Sequence, residues 1–214
     1  MTNDFKERDK WEEVNQLLVE ERWKVNPLWL EEFYQDPLSF PNLLSRYKFA
    51  AKMVAKGKDV LELGCQYGMG VPILSEFCRT YLGVENDEKL LNSLENNLNK
   101  NKYKFLTYAA FESKLDELEF DSIVVMNCSD SFIRDSFFKS VESSLKVNGQ
   151  VLCGFHTNLL NGSDCMTAFY AKLKSYFKLV VPFFLNNEVV QCGVSKSSDY
   201  IFYLGCSKQI TNRV

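Results

Sequence analysis

The chain has 214 residues, of which 46% are hydrophobic and 25% are charged, and its formal net charge at pH 7 is −3. This composition predicts one globular α/β domain with some added elements. A net acidic chain disfavours a nucleic-acid partner, because proteins that bind nucleic acid usually present a basic surface. No apolar run approaches 18 residues, so no membrane-spanning helix is expected.

Cysteine usage and the amino terminus predict a cytoplasmic protein. Seven cysteines are present, an odd number, and no C-x-x-C pair occurs among them. Reduced and mostly buried thiols are typical of a reducing compartment. The first thirteen residues are densely charged, whereas a secretory signal needs an apolar segment. The sequence predicts no metal site and leaves the oligomeric state open.

Three helices are predicted ahead of the first strand. Residues 4–22 carry apolar side chains at helical spacing, and 29–34 form a short second helix that ends before Pro37. A third helix is predicted over 42–55, and Gly57 ends it. These helices would cover a ligand crevice or one edge of a sheet. The expected organisation is an N-terminal helical extension or lid over 1–56, a main domain over 57–208 and a tail over 209–214.

Strand and helix patterns then alternate along the chain. The run at 121–126 is almost continuously apolar, as expected for a strand that is buried on both faces of a parallel sheet. Pro72 is tolerated because it lies in the first turn of its helix. Strands are predicted over 59–63, 81–85, 104–108, 121–126, 150–155, 177–184 and 200–206, and helices over 69–79, 87–99, 131–146 and 163–175.

The segment Asp59–Leu91 indicates one βαβ half of a nucleotide-binding fold. Its glycine loop, Gly64–Gly70, has Gln66 and Met69 where a dinucleotide fingerprint needs glycines, and no lysine follows as it does in a Walker loop. Glu62 lies just before the loop and would repel a phosphate. The loop therefore argues against phosphate-bearing cofactors.

A second acid narrows the choice of ligand. Glu85 ends the second strand 21 residues after Gly64, close to the roughly 20-residue spacing of a ribose-binding acid. One carboxylate can accept hydrogen bonds from both ribose hydroxyls. A ligand with a ribose and a cationic amine but no phosphate fits both acids, and S-adenosylmethionine is such a ligand.

The stretch VLELGCQYG, residues 60–68, resembles the first motif of the class I S-adenosylmethionine-dependent methyltransferases, V-L-D/E-x-G-C-G-x-G. The resemblance implies that the glycine loop wraps the methionine part of the cofactor, that Glu62 contacts its amino group and that Glu85 holds the ribose. Gln66 replaces the middle glycine, and a positive φ there would strain it by about 1 kcal/mol. The implied cofactor-binding residues are Glu62, Gly64, Cys65, Gln66, Gly68, Glu85, Asn86, Ala110, Phe111 and Asn127.

The segment after the third strand, where the adenine of the cofactor is expected, differs from the family pattern. Many relatives have an acid after the third strand that accepts from the adenine amino group, and this chain has Ala110 and Phe111 there. Backbone groups of these two residues, or the carboxylate of Glu112, would serve instead. The Phe111 ring could also pack on the adenine.

Two further segments carry the resemblance. Residues 45–53, SRYKFAAKM, are similar to a helix that precedes the first strand in a group of small, largely uncharacterised bacterial and phage-borne methyltransferases, and the segment 183–208 is similar to the tail of that group. The resemblance covers about residues 29–208. It implies an α/β, Rossmann-like fold with a seven-stranded, mostly parallel sheet, an antiparallel last strand, helices on both faces and extra N-terminal helices.

The reaction site is expected in the loops after the fourth and fifth strands, because ligands of open α/β sheets lie beyond the carboxyl ends of the strands. His156 is the only histidine, and its unperturbed pKa near 6.5 suits a general base, although a structural imidazole is an equal interpretation. Asp130 is either a second base or the cap of the next helix. Arg46 and Tyr47 are interpreted as a surface charge and a packing residue, with a ligand contact as the alternative.

The sequence therefore predicts an S-adenosylmethionine-dependent methyltransferase that acts on a small molecule or a sugar by O- or N-methylation. The fourth strand is not followed by Asn-Pro-Pro-Tyr, which counts against methylation of a nucleic-acid base, including by base flipping. The alternative is a non-catalytic S-adenosylmethionine-binding module of the same fold. A nucleotide-binding oxidoreductase is disfavoured by the glycine spacing. The expected partner is a small-molecule methyl acceptor.

Overall fold

A computed structural model describes residues 34–35, 37, 39–97, 103–128, 134–157, 163–186, 188–195, 198 and 200–209. The helix predicted over 4–22, nearly all of the helix predicted over 29–34, and Asp130 lie outside these residues. Within the described part of the chain, no helix is long and apolar enough to cross a membrane.

Helices and strands follow one another in the predicted order. The helices are α1 Ser39–Ala50, continued by a π-helical segment Ala51–Ala55, then α2 Val71–Phe77, α3 Glu88–Asn97, α4 Tyr108–Glu112, α5 Asp135–Ser144 and α6 Ser163–Tyr176. The strands are β1 Asp59–Leu63, β2 Thr80–Glu85, β3 Lys104–Thr107, β4 Phe120–Val125, β5 Leu145–His156, β6 Phe177–Asn186, β7 Val189–Cys192 and β8 Tyr200–Lys208.

The described strands form one sheet in the order β3-β2-β1-β4-β5-β8-β6-β7. Strands β1 to β5 pair in parallel, whereas β8 runs antiparallel between β5 and β6, and β7 pairs antiparallel with β6. The predicted Rossmann-like, mostly parallel sheet with an antiparallel last strand is confirmed. The reversal of neighbour order around β1 and β4 is the topological point at which such sheets bind ligands.

Among the residues that the structure describes, the sheet has eight strands rather than the predicted seven. The additional strand is β7, four residues long, which follows a turn where Glu188 has a φ of 65°. Three of its four side chains are exposed, so it lacks the apolar alternation that indicates a strand in a sequence. It is held by ladder hydrogen bonds to β6, and only the folded sheet supplies these.

Helices cover both faces of the sheet, as predicted. Alternate residues of each strand point to opposite faces, so β1 directs Val60 to one core and Leu61 and Leu63 to the other. The first core contains side chains of α1, the π-helical segment and α2, and the second contains side chains of α4, α5 and α6.

Part of the segment predicted as an extension or lid belongs to the core. Tyr47 and Ala50 of α1 and Val54 of the π-helical segment are at most 2% exposed and pack against the sheet. This packing fixes the end of α1 beside the carboxyl ends of β4 and β5. The helix therefore positions side chains at the place where a ligand is expected.

A short helix, α4, replaces the loop predicted after β3. Thr107 begins it, because its Oγ1 accepts a hydrogen bond from the backbone N–H of Ala110 at 3.1 Å. Threonine is a favoured residue at this capping position. Five residues are too few for a helical apolar period to be recognised in the sequence.

Gly154 in β5 makes room for a ring that the site depends on. A Cβ atom at Gly154 would lie 2.2 Å from the Tyr200 hydroxyl oxygen. We expect Gly154→Ala to lower the free energy of unfolding by about 1–3 kcal/mol, the usual cost of overpacking a core. Denaturant unfolding measures this effect, and Val147→Ala, in an exposed part of the same strand, is the matched control. Equal stability of the two variants would contradict the packing described.

Candidate active site

The turn after β1 is a backbone cradle at the centre of the sheet. Gly64 and Gly68 have φ values of 74° and 73°, which glycine adopts without strain. The N–H groups of Gly64 and Cys65 both donate to the Val84 carbonyl, at 2.8 and 3.2 Å, and this ties the turn to β2. A Cβ atom at Gly64 would meet nothing within 4 Å, so the space in front of the turn is open.

Gln66 has a φ of 46°, so the position of the missing middle glycine does need a left-handed backbone. Its side chain compensates in part, because its Oε1 accepts a hydrogen bond from Asn127 Nδ2 at 2.9 Å. Its backbone N–H donates to Glu85 Oε2 at 2.9 Å. Gln66 thus connects the turn to the ends of β2 and β4.

We expect Gln66→Gly to have opposing effects. Glycine relieves strain of about 1 kcal/mol but loses the hydrogen bond to Asn127, which is also worth about 1 kcal/mol. The free energy of unfolding should therefore change little in the wild-type background. In an Asn127→Ala background, where that hydrogen bond is already absent, Gln66→Gly should stabilise the protein. Denaturant unfolding of the four proteins forms a double-mutant cycle, and destabilisation in the Asn127→Ala background would contradict the strain.

Glu85 lies at the carboxyl end of β2 and is half-buried. Its Oε1 accepts from the backbone N–H groups of Asn86 and Asp87, at 2.6 and 3.2 Å, and its Oε2 accepts from Gln66. A carboxylate has about four acceptor sites, so one site on Oε2 is left for a ligand hydroxyl. These backbone contacts orient the carboxylate towards the turn.

Glu62 lies inside the protein, with 0% of its surface exposed. It is on the same face of β1 as Val60, and there Tyr81 donates its hydroxyl proton to Glu62 Oε2 at 2.6 Å. The Tyr47 hydroxyl lies close enough to this carboxyl group to lower its pKa. Oε1 is buried and has no hydrogen-bond partner among the described residues.

The pKa of Glu62 is raised to about 7. Burial is the main cause, because it disfavours the charged carboxylate, and the nearby Glu85 raises the pKa further. The hydroxyls of Tyr81 and Tyr47 lower it, since they donate to the charged form. At neutral pH the carboxyl group is therefore close to half-protonated, and a cation placed at Oε1 would favour its charged form.

A cavity of about 300 Å³ opens in front of the turn. It lies among the carboxyl ends of β1, β4 and β5 and the end of α1, and this volume is at the lower end of the range of small-molecule sites. Its described lining residues are Gln35, Leu43, Arg46, Tyr47, Cys65, Gln66, Tyr67, Met69, Asn127 and His156.

Arg46 and His156 meet at one wall of this cavity. Arg46 Nη1 donates to His156 Nε2 at 2.8 Å, and its guanidinium carbon lies 4.0 Å from the centre of the Tyr200 ring. Tyr200 pairs with His156 across β5 and β8, and their rings meet edge to face at 4.9 Å. Because an arginine can only donate, Nε2 is the accepting nitrogen in this contact.

The remaining residues predicted to bind the cofactor do not line the cavity, except for Cys65. Asn86 is exposed and offers its N–H to Glu85, and Cys65 is a buried thiol whose pKa is raised, first by burial and then by Glu62. Ala110 is half-buried, and its backbone N–H donates to Thr107, the residue that caps α4. The Phe111 ring is fully buried in the core, so the expectation that it packs on the adenine is wrong for the side chain, and only its backbone is left for that role.

Three residues of the site were not assigned to it from the sequence. Arg46 is buried rather than on the surface, Tyr47 borders the cavity as well as packing, and Tyr81 holds Glu62. The signal for Arg46 was its spacing, three residues after Leu43 and four before Ala50, which places a charge on the apolar face of α1.

The described residues fit an adenosyl sulfonium ligand. The orphaned, buried Oε1 of Glu62 can accept from an ammonium group, and the open space before Gly64 leaves room for a chain to pass. Glu85 keeps an acceptor site for a ribose hydroxyl. Among the residues that the structure describes, no cluster of three or more metal-ligating side chains occurs.

Comparison with known proteins agrees with this geometry. Residues 61–153 match the family model of a methyltransferase domain. No protein of curated function matches the chain by sequence.

Solved structures of methyltransferases share the fold. A TehB-like SAM-dependent methyltransferase from Corynebacterium glutamicum is 16% identical, with 86% of this chain and 100% of that chain covered and a TM-score of 0.59. A tRNA methyltransferase from Aquifex aeolicus is 19% identical over 78% and 69% of the two chains, with a TM-score of 0.54. A precorrin-6y methyltransferase from Geobacter metallireducens is 14% identical over 77% and 87%, with a TM-score of 0.53.

Identities this low establish the fold, and the matched family model adds the type of domain. The cradle at Gly64 and the two buried or half-buried glutamates agree with that type of domain. The chain therefore has the fold of these S-adenosylmethionine-dependent methyltransferases and matches the model of a methyltransferase domain over residues 61–153, and the cofactor that this match implies is S-adenosylmethionine.

Proposed function

We propose that this protein transfers a methyl group from S-adenosylmethionine to an oxygen or nitrogen atom of a small-molecule acceptor. The observation that carries the proposal is the cavity of about 300 Å³ between the glycine turn and the ends of β4 and β5. A site of this size takes a metabolite or a sugar unit. It adjoins the turn that would hold the methionine part of the cofactor.

The bound cofactor supplies an electrophilic methyl group on a sulfonium. The chain has to bind and orient the cofactor and the acceptor, and it has to exclude water from the site. Gly64 and Glu85 would hold the two ends of the cofactor, with Glu62 beneath its amino group. Tyr47, Met69 and the neighbouring side chains enclose the place where an acceptor oxygen or nitrogen would face the methyl group.

The acceptor proton needs a destination only if the nucleophile arrives protonated. His156 remains our candidate general base, although its Nε2 lone pair accepts from Arg46 and that contact would have to open. Asp130 is the second candidate and lies outside the described residues. An amine that arrives deprotonated would need neither group.

The class of acceptor separates this proposal from a nucleic-acid methyltransferase. One of the structural neighbours acts on tRNA and another on a precorrin, so the fold accommodates both classes. The net charge of −3 and the small cavity favour a small acceptor. We also propose that the protein is cytoplasmic and that its main domain spans residues 57–208. Residues 183–208 are proposed to relate it to the group of small bacterial and phage-borne methyltransferases.

The alternative is a module that binds the cofactor without methylating. Two contacts favour it. The side chains of Gln66 and Asn127 hydrogen bond to each other at the turn. Arg46 donates to Nε2 of His156, the only histidine, so this nitrogen is not available as a base while the contact persists.

Two measurements on the full chain test the proposal. Calorimetric titration with S-adenosylhomocysteine should show one site per chain, and formation of S-adenosylhomocysteine from S-adenosylmethionine should occur with small hydroxy or amino acceptors but not with tRNA or rRNA. Binding without turnover of any acceptor would favour the non-catalytic module. Turnover with RNA alone would overturn the small-molecule assignment.

A further inference from the structure

Gln66 has a backbone conformation that is unfavourable for its residue type. Its φ is 46°, and this left-handed region costs a residue with a Cβ atom more than it costs glycine. Residues in such conformations cluster at functional sites, where the surrounding contacts maintain them. Glycine would adopt the same backbone without strain, so the side chain of Gln66 is the feature whose role has to be explained.

The side chain of Gln66 forms a bridge with the side chain of Asn127. Asn127 Nδ2 donates to Gln66 Oε1 at 2.9 Å. Gln66 lies in the turn after β1 and Asn127 lies just beyond the end of β4, and these two strands are neighbours in the sheet. Gln66 is exposed and Asn127 is half-buried, so both amides have access to water when this contact, the Gln66–Asn127 bridge, opens.

The bridge lies between the two parts of the site that the cofactor has to reach. On one side, the backbone N–H of Gln66 donates to Glu85 Oε2 at 2.9 Å, and Glu85 is the expected ribose acceptor. On the other side, Gln66 and Asn127 both line the cavity of about 300 Å³. A cofactor whose ribose lies at Glu85 and whose methyl group faces this cavity therefore has to extend past the bridge.

The order of the strands supports this route. Glu85 ends β2, the turn that contains Gln66 follows β1, and Asn127 follows β4, in the spatial order β2-β1-β4. At about 4.8 Å for each strand spacing, these three positions span roughly 10 Å along the carboxyl edge of the sheet. The bridge crosses the second of the two spacings, between β1 and β4.

We propose that the Gln66–Asn127 bridge is a gate that opens when the methionine part of S-adenosylmethionine enters the site. This inference rests on the cofactor assignment and goes beyond the proposed function, since it makes no use of the acceptor. The closed bridge lowers the apparent affinity, because only the fraction of molecules with an open bridge can bind the cofactor. One hydrogen bond between neutral side chains is enough to lower this affinity by about 2- to 10-fold.

Calorimetric titration of the full chain with S-adenosylhomocysteine and with adenosine tests the gate. Adenosine has the ribose but no methionine part, so it can reach Glu85 without passing the bridge. The proteins are wild type, Gln66→Gly, Asn127→Ala and the double variant, which lack neither, one or both sides of the bridge. Asn92→Ala is the control, because Asn92 is exposed on α3 and its variant loses the same amide outside the cavity.

We expect each single variant of the bridge to bind S-adenosylhomocysteine about 2- to 10-fold more tightly than wild type and Asn92→Ala do. The double variant should gain no more than a single variant, because either substitution alone removes the bridge. Adenosine should bind all five proteins alike. The ratio of the two affinities is the readout, and a substitution that only loosened the fold would not raise it.

The sign of the change separates a gate from a binding role. A lower affinity for S-adenosylhomocysteine in Gln66→Gly or Asn127→Ala would show that the amide binds the cofactor, and it would overturn the gate. Unchanged affinities would overturn it too, as would an equal gain for adenosine, which would place the effect at the ribose end.

The variant Asn127→Ala keeps the test valid if Gln66→Gly does not fold, because it leaves the backbone of the turn as it is. Near-ultraviolet circular dichroism checks that each variant is folded. Failure of wild type to bind either compound would refute the cofactor assignment, and the proposed function and the gate with it. Binding of S-adenosylhomocysteine with the same affinity in all five proteins would refute the gate alone.

Discussion

Glu85→Ala should lower the affinity for S-adenosylhomocysteine by about 10- to 100-fold, because a hydrogen bond to a charged acceptor contributes about 1.5–3 kcal/mol. The carboxylate is oriented by the N–H groups of Gln66, Asn86 and Asp87, and it keeps one acceptor site for a ribose hydroxyl. Calorimetric titration gives the dissociation constants directly.

The same carboxylate also holds the turn, so lost binding has to be separated from lost structure. Glu88→Ala is the matched control, since Glu88 is an exposed acid three residues further along the chain. Denaturant unfolding of both variants reports any loss of stability. An affinity of Glu85→Ala equal to that of Glu88→Ala would remove Glu85 from the cofactor site.

Glu62→Gln should change how stability depends on pH. The pKa of Glu62 in the folded protein is raised to about 7, above that of an ordinary glutamate, because burial disfavours its charge. The folded state therefore binds this proton more tightly than the unfolded state. The resulting stabilisation is complete below the unfolded pKa of about 4.5 and is lost as pH rises through about 7.

The amide of Glu62→Gln cannot ionise, so the variant lacks this contribution. The free energy of unfolding of wild type, relative to that of Glu62→Gln, should fall by about 2–3 kcal/mol between pH 5 and pH 8. Denaturant unfolding of both proteins at intervals across this range measures the difference, and the comparison cancels the titrating groups that the two proteins share. A difference that stays constant with pH would mean that Glu62 is charged in the fold throughout.

Cofactor binding should act on the same group. An ammonium that reaches the orphaned Oε1 of Glu62 would stabilise the carboxylate and lower its pKa. Binding of S-adenosylhomocysteine at pH 7 should then release a fraction of a proton in wild type and none in Glu62→Gln. Calorimetry in buffers of different ionisation enthalpy measures this release, and equal values in the two proteins would place the ammonium elsewhere.

The features that were predicted correctly are local or periodic. The apolar run of β4 and the alternation of helices and strands follow from short-range patterns, and they were sufficient for the class of fold. The need for a positive φ at Gln66 was foreseen as a condition, because the spacing of the neighbouring glycines defines the turn. Such a motif indicates a backbone geometry that a few consecutive residues determine.

The features that were missed depend on contacts between distant residues. The short strand β7 exists because β6 offers it a free edge. The helix α4 is the exception, because its cap at Thr107 is local and its five residues are too few to show a helical period. Arg46 and His156 are 110 residues apart in the chain and meet only when α1 packs across the end of β5. A sequence states their residue types and leaves their proximity open.

The sequence by itself determined that this protein has a mostly parallel α/β sheet with a glycine turn and two acids suited to S-adenosylmethionine. These follow from residue order, because the chain reversals and the strand ends lie within one βαβ unit. Only the tertiary structure decided that Glu62 is buried with an elevated pKa and that Arg46 faces the cavity. Burial and charge pairing arise when separate elements pack together, and those are the quantities on which the chemistry of the site depends.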